Sequence, residues 1–183
     1  DTIIPVLTLT GSNPFNHEQG TTYTDQGASA SDNIDGDVTA SIVVTGTVDS
    51  NTAGSYTLTY NVSDTASNAA TTITRTVIVA DTAPPTITLL GSTTVNVEQG
   101  TSYIDAGATA ADLVDGDVTA GIIMTGAVDV NTAGTYILSY SVSDAATNAA
   151  TTVTRTVVVA DTIAPVITLL GSSIVNQEQA ATY

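Results

Sequence analysis

The sequence predicts an all-β protein built as tandem antiparallel β-sandwiches, and three observations carry the prediction. Shifting the 183-residue chain by 80 positions aligns it with itself without a gap, and 51 of the first 80 residues are identical to their counterparts. Within each unit, short runs rich in Val, Ile, Thr and Tyr alternate apolar and polar residues and are separated by Gly, Asn and Asp. No stretch shows the 3.6-residue period of an amphipathic helix. The period divides the chain into units of residues 1–80 and 81–160 and an incomplete third, 161–183, that holds only the first strands. An 80-residue unit is long enough to enclose a small core of its own. The third unit either continues into a full repeat, which is the favoured expectation, or pairs its strands with another molecule, as identical chains in a filament would.

The elements follow in order. Residues 3–10 read as the first strand, ended by Gly11-Ser12, with Leu7 and Leu9 (matched by Ile87 and Leu89) on one face. Phe15 to Glu18, matched by Val95 to Glu98, continue it with Phe15 or Val95 inward until Gln19-Gly20 turns the chain. From Tyr23 to Asp32 small residues alternate, Ala28 and Ala30 sharing a face, and the strand runs into Asp32-Asn33-Ile34-Asp35-Gly36-Asp37. Ile42, Val44 and Val48 extend the period-two signal to Asp49. Asn51 to Val62 form the most informative strand, with Tyr56, Leu58, Tyr60 and Val62 on its inner face. The Gly-x-Tyr at its start resembles the tyrosine corner of immunoglobulin-like sandwiches. A hairpin over Ser63 to Asn68 leads to the last strand, residues 70–79. Arg75 and Arg155 fall on the inward parity of that strand, which predicts a bulge or a buried acidic partner; Glu18 and Glu98, on the strand bordering it, are the candidates. Ala80-Asp81-Thr82-Ala83-Pro84-Pro85 joins the units with almost no free linker, and proline fixes φ where the next strand begins, so the joint is expected to be short and directional.

Composition excludes several function classes. Eighteen acids stand against two arginines, with no lysine, for a formal net charge of −16. Such a surface has nothing with which to neutralise nucleic-acid phosphates or an anionic membrane, and no apolar run approaches the roughly 18 to 20 residues of a membrane span. Without cysteine there is no disulfide and no Cys-ligated zinc; without lysine there is no Lys-to-Asn isopeptide crosslink. Stapling is left to packing, hydrogen bonds or bound metal. His17 is the only histidine and its counterparts are Val97 and Gln177, so a Ser-His or Cys-His nucleophile has no parts in the second unit. The paired aspartates crowd one turn rather than facing each other across a cleft, as glycoside hydrolysis requires.

The run Asp-x-Gly-Ala-x-Ala-x-Asp-x-x-Asp-Gly-Asp-Val-Thr (Asp25 to Thr39) is followed by Thr-Ala-Gly-x-Tyr (Thr52 to Tyr56), Val-Ser-Asp-x-Ala-x-Asn-Ala (Val62 to Ala69) and Thr-Arg-Thr-Val (Thr74 to Val77). Together these resemble the bacterial surface immunoglobulin-like repeat and, more distantly, the hyalin-type repeat, across both full units. The resemblance implies an extracellular or cell-surface β-sandwich, repeated in long surface proteins and large secreted enzymes as stalk or spacer. Family members commonly carry Gly before the Asn of the Asp-x-Ala-x-Asn hairpin, where this chain has Ser67 and Thr147.

All eight acids of the first unit recur in the second. In a sandwich of this kind the turn after the second strand, the last hairpin and the start of the first strand lie at one end. Asp112, Asp115, Asp117, Asp144 and Asn148 are thereby expected to converge on Asp81 of the linker, and Asp32, Asp35, Asp37, Asp64 and Asn68 on Asp1. Calcium, which takes six to eight oxygen ligands, is the cofactor such a cluster suits. The acids fall at loop positions 1, 4 and 6, which is not EF-hand spacing. A solvated acidic loop end stands as the alternative. The functional expectation is a non-catalytic, rigid stalk of a bacterial adhesin or filament, stiffened by calcium, whose partners are neighbouring repeats. The alternative is a carbohydrate-binding accessory module of a secreted hydrolase.

Overall fold

The computed structural model describes residues 1–171, 173 and 174. The first repeat contains β1 (Val6–Leu9), β2 (Phe15–Glu18), β3 (Ala28–Asp32), β4 (Gly36–Asp37), β5 (Val43–Thr45), β6 (Gly54–Asn61) and β7 (Ile73–Ala80). The second repeats the series as β8 (Thr86–Leu89), β9 (Thr94–Glu98), β10 (Ala108–Asp112), β11 (Gly116–Asp117), β12 (Ile123–Thr125), β13 (Gly134–Ser141) and β14 (Val153–Ala160). Each repeat faces a three-stranded sheet (β1-β3-β4 or β8-β10-β11) against a four-stranded one (β2-β7-β6-β5 or β9-β14-β13-β12). All pairings are antiparallel except β2 with β7 and β9 with β14, which are parallel. Among the described residues no sheet mixes strands of the two repeats.

Alternation builds the core. Leu58 and Tyr60 on β6, Val77 and Val79 on β7, and Ala30 on β3 are buried, as are Leu138, Tyr140, Val157, Val159 and Ala110 in the second repeat. Thr and Ser between them face water and cost little there. The corner forms: Tyr56 Oη donates to Thr52 O at 2.7 Å and Tyr136 Oη to Thr132 O at 2.8 Å. Tyr56 itself is only half-buried, because its ring lies along Gly54 to make that bond.

Four expectations need correction. The first strand starts at Val6, since Pro5 offers no N–H to the ladder. The strand expected from Tyr23 is β3, which begins at Ala28, because the preceding residues carry Asp25 into the interior. The stretch after the acidic turn is a short 3-10 helix (Thr39–Ser41) and then β5, whose three residues are all exposed. Gly46 ends β5 at φ +100, with Thr57 O so close that a Cβ would lie 2.3 Å from it. Finally, Arg75 and Arg155 pair with Asp25 and Asp105, not with Glu18 and Glu98. The β2–β7 register sets Glu18 opposite Ala80, five residues along from Arg75, or about 16 Å at strand rise. The β6–β7 ladder runs from Gly54 to Tyr60 without a bulge, so buried acceptors rather than a bulge accommodate the charge.

Each guanidinium is fully buried and meets more than one acceptor. Arg75 donates to Asp25, to Thr10 O and to Gly27 O at 3.0 Å; Arg155 donates to Asp105, Leu90 O, Gly107 O at 3.2 Å and Ser92 O at 3.1 Å. Tyr140 Oη donates to Asp105 at 2.6 Å and Tyr103 Oη at 2.8 Å. Burial pushes the Asp105 carboxyl up, but the hydrogen bonds from Tyr140, Tyr103 and Arg155 outweigh it and hold the group at about 2. Residues 161–171 form no strand. The expected continuation near 175–178 lies outside the described residues.

Candidate metal site at the joint between the repeats

The acidic turn is shaped by its own carboxylates. Asp112 Oδ1 accepts the N–H groups of Val114 (2.7 Å) and Asp115 (3.0 Å), as Asp32 Oδ1 does those of Ile34 (2.8 Å) and Asp35 (3.0 Å). The backbone N–H of Asp115 in the one and of Asp35 in the other holds these carboxyls below their ordinary range. Gly36 and Gly116 then take φ of +73 and +72 to bring the chain back along β3 and β10.

The last hairpin supplies the second wall. Asp144 Oδ1 accepts Asn148 N–H at 2.7 Å and Oδ2 accepts Asn148 Nδ2 at 2.8 Å, while the same Nδ2 donates to Asp81 O at 3.2 Å. Asp64, Asn68 and Asp1 O repeat the arrangement. Through Nδ2, Asn68 and Asn148 tie the start of each repeat to its hairpin. Ser67 and Thr147 take φ of +67 and +73, so the hairpin forms without the family's glycine.

Two groups of carboxylates result: Asp1, Asp32 and Asp64 in the first repeat, Asp81, Asp115 and Asp144 in the second. Within each, one oxygen per residue lies within 4.8 Å of the others, a spacing that one ion at about 2.4 Å from each can bridge. The sets differ for a local reason. Thr65 donates N–H and hydroxyl to Asp35 and holds both its oxygens, whereas Ala145 donates only its N–H to Asp115, at 2.7 Å. Asp37 and Asp117 stand outside both groups, each with Oδ1 accepting the N–H of Thr39 or Thr119 at 2.9 Å. Asp112 Oδ2 and Asp81 Oδ1 are buried without a hydrogen-bond partner, as is Asp32 Oδ2 in the first repeat. Burial pushes the Asp81 carboxyl up, and the charges of Asp112, Asp144, Glu18 and Asp115 push it further. Orphaned, mutually repelling oxygens of this kind fit a hard cation.

Sequence reasoning placed Glu18 and Glu98 with the arginines and so missed their position. Glu18 accepts the N–H of Thr82 at 3.2 Å and of Ala83 at 3.4 Å, and the Thr82 hydroxyl. Glu98 accepts the N–H of Thr162 at 3.0 Å. The Gln19-Gly20 turn lies against the acidic turn of the next repeat, where a Cβ on Gly20 would stand 3.5 Å from Leu113 Cγ. The available signal was the recurrence of both glutamates beside the Gln-Gly turn.

The profile of the bacterial surface protein, Ig-like domain, matches residues 7–79 and 87–159. No curated protein is detectably similar. Among solved structures, the chain resembles a fragment of Clostridium perfringens ZmpB comprising its M60 catalytic domain and two CBM51 domains. That match has 12% identity and a TM-score of 0.58, and covers 85% of this chain and 30% of that one. It also resembles a Bacteroides thetaiotaomicron lipoprotein (18% identity, TM-score 0.38, covering 79% and 96%). A third resemblance is to fibronectin(III)-like modules of Clostridium thermocellum CbhA (13% identity, TM-score 0.34, covering 84% and 94%). With the profile covering both repeats from core strand to core strand, the chain belongs to the family of bacterial surface immunoglobulin-like domains.

Proposed function

We propose that the chain is a load-spanning segment of a bacterial surface stalk, and that calcium at the joint holds successive repeats in one orientation. The observation that supports it most is the position of Asp81. Its backbone oxygen is held by Asn148 of the second repeat, the next residue is held by Glu18 of the first, and its own Oδ1 is buried without a partner. An ion shared by Asp81, Asp112, Asp115 and Asp144 relieves their repulsion and makes bending of the joint require breaking a ligand bond.

The test uses the whole chain. Calcium that binds only the folded state stabilises it by roughly 2.7 kcal/mol at a hundredfold excess over its Kd. The Tm of the second repeat is expected to rise with calcium and fall with chelator. Asp115→Asn with Asp144→Asn is expected to abolish that response, and small-angle scattering to show a smaller spread of end-to-end distances with calcium than with chelator. A chain indifferent to chelator in both measurements would refute calcium stiffening.

A further inference from the structure

The sandwich has a side opening beside β2 or β9, the edge strand of the four-stranded sheet, and the two repeats treat it differently. In the first, rings occupy it: His17 lies 5.2 Å from Tyr23 and 6.4 Å from Phe15, centroid to centroid. Gln26 lies over Gly11, its Oε1 accepting Ser12 N–H at 3.1 Å. In the second repeat Val95, Val97 and Ala106 replace Phe15, His17 and Gln26, and a groove of about 450 Å³ runs between β9 and the segment 101–106. Leu90 and Ile104, 45% and 89% exposed, flank it where the first repeat has Thr10 and Thr24. Five replacements at one opening thus remove two rings and an amide and put five aliphatic side chains into its lining, beside Tyr103 and polar residues such as Ser92 and Thr101.

One wall of the groove is a free strand edge. The β9–β14 ladder is bracketed by Thr156 N–H to Thr93 O and Gln99 N–H to Ala160 O, both 2.9 Å. Residues 95 and 97 therefore direct their backbone groups at β14, and Asn96 turns its N–H and C=O to the open side. Among the described residues β9 pairs with β14 alone. Glu98 lies at the rim of the groove; Arg155 contributes to its floor but is fully buried and paired with Asp105, so the exposed charge beside the groove is anionic.

We propose that this groove docks an extended peptide, added as a strand to the free edge of β9, with a large apolar side chain in the groove and lysine or arginine on either side of it. Main-chain bonds to Asn96 supply affinity, the aliphatic cavity selects the side chain, and the anionic surface selects the basic flanks. A second copy of this chain is a poor occupant, since it brings a like net charge of −16.

The probe is an acetylated octapeptide of alternating lysine and valine with one central phenylalanine, titrated into the isotopically labelled full chain. Amide signals of Asn96, Tyr103 and Ile104 are expected to shift while that of Asn16 does not. The triple variant Val95→Phe, Val97→His, Ala106→Gln installs a filling that the first repeat already accommodates. It is expected to melt cooperatively and to bind at least tenfold more weakly, as is the wild type towards the same peptide with glutamate in place of lysine. Equal shifts in both repeats, or equal binding by the triple variant, would overturn the proposal. So would self-association that the triple variant abolishes, which would assign the groove to a second copy, or toluene reproducing the shifts without peptide, which would make it a small-molecule cavity.

Discussion

The arginine buried in each repeat is tolerated because its two terminal nitrogens meet a carboxylate and backbone carbonyls, and the aspartate opposite is the part that cannot be removed alone. Asp105→Ala leaves a buried, unpaired cation, and the expected loss is about 3–5 kcal/mol in urea denaturation. Replacing the pair together, Asp105→Leu with Arg155→Met, is expected to recover most of that loss. The pH dependence follows from the depressed carboxyl. Asp105 sits at about 2 in the fold, against roughly 3.9 in an unfolded chain, so its contribution is complete above the unfolded value and is lost as pH falls from about 4 to about 2. Denaturation midpoints across that window test it, and Asp105→Asn should flatten the slope. Thr147 presents the opposite case, a β-branched residue held at φ +73. Thr147→Gly is expected to stabilise the second repeat by about 1 kcal/mol, read by the same denaturation, because glycine takes that conformation without steric cost.

Among the elements, β5 and β12 are exposed at all three residues, and their ends are set by backbone contact rather than by side chains. Gly126 ends β12 at φ +98, and a Cβ there would lie 2.2 Å from Ile137 O on β13. Gly126→Ala is therefore expected to cost at least about 2 kcal/mol, from strain at positive φ and from displacement of the β12–β13 ladder, with hydrogen exchange rising first at Ile123 to Thr125. The acidic turn and the last hairpin behave as one element through their cross-bonds. The Thr65 and Ala145 difference decides which aspartate is left free there, so Ala145→Thr is expected to engage Asp115 and weaken calcium binding in the second repeat.

For the whole molecule, the dominant electrostatic fact is that both arginines are buried and paired, leaving a surface of acids without a cationic side chain. Self-repulsion on this scale is screened by salt, with a Debye length of about 10 Å at 0.1 M and 3 Å at 1 M. In chelator, raising sodium chloride from 10 mM to 1 M is expected to increase the Tm, and the further increment from calcium to shrink as salt screens the clustered acids. A Tm unchanged by salt would mean that the acids are too dispersed to repel, and would remove the electrostatic argument for a bound cation. Acids cluster at the start of each repeat, whereas the outward positions of β6 and β7 carry Ser55, Thr57, Thr59, Thr74 and Thr76.

The 80-residue period and the two-residue alternation were enough to determine two all-β repeats and the inward faces of β6 and β7, and the Gly-x-Tyr motif the tyrosine corner. The strand faces and the corner depend on a residue and its near neighbours along the chain, whereas the end at which the acids gather was read from the topology of the immunoglobulin-like sandwich that the motifs resemble. Tertiary structure alone decided which carboxylate meets Arg155, because parity says that a side chain points inward but not what approaches from the opposite sheet. It decided that Glu18 holds Thr82 across the joint and that Asn148 Nδ2 reaches Asp81 O, since both depend on residues more than 60 positions apart meeting at hydrogen-bond distance. It also decided that Asp117 turns to Thr119 and away from the cluster, because one tight turn with a glycine at positive φ sends carboxylates two residues apart to opposite sides.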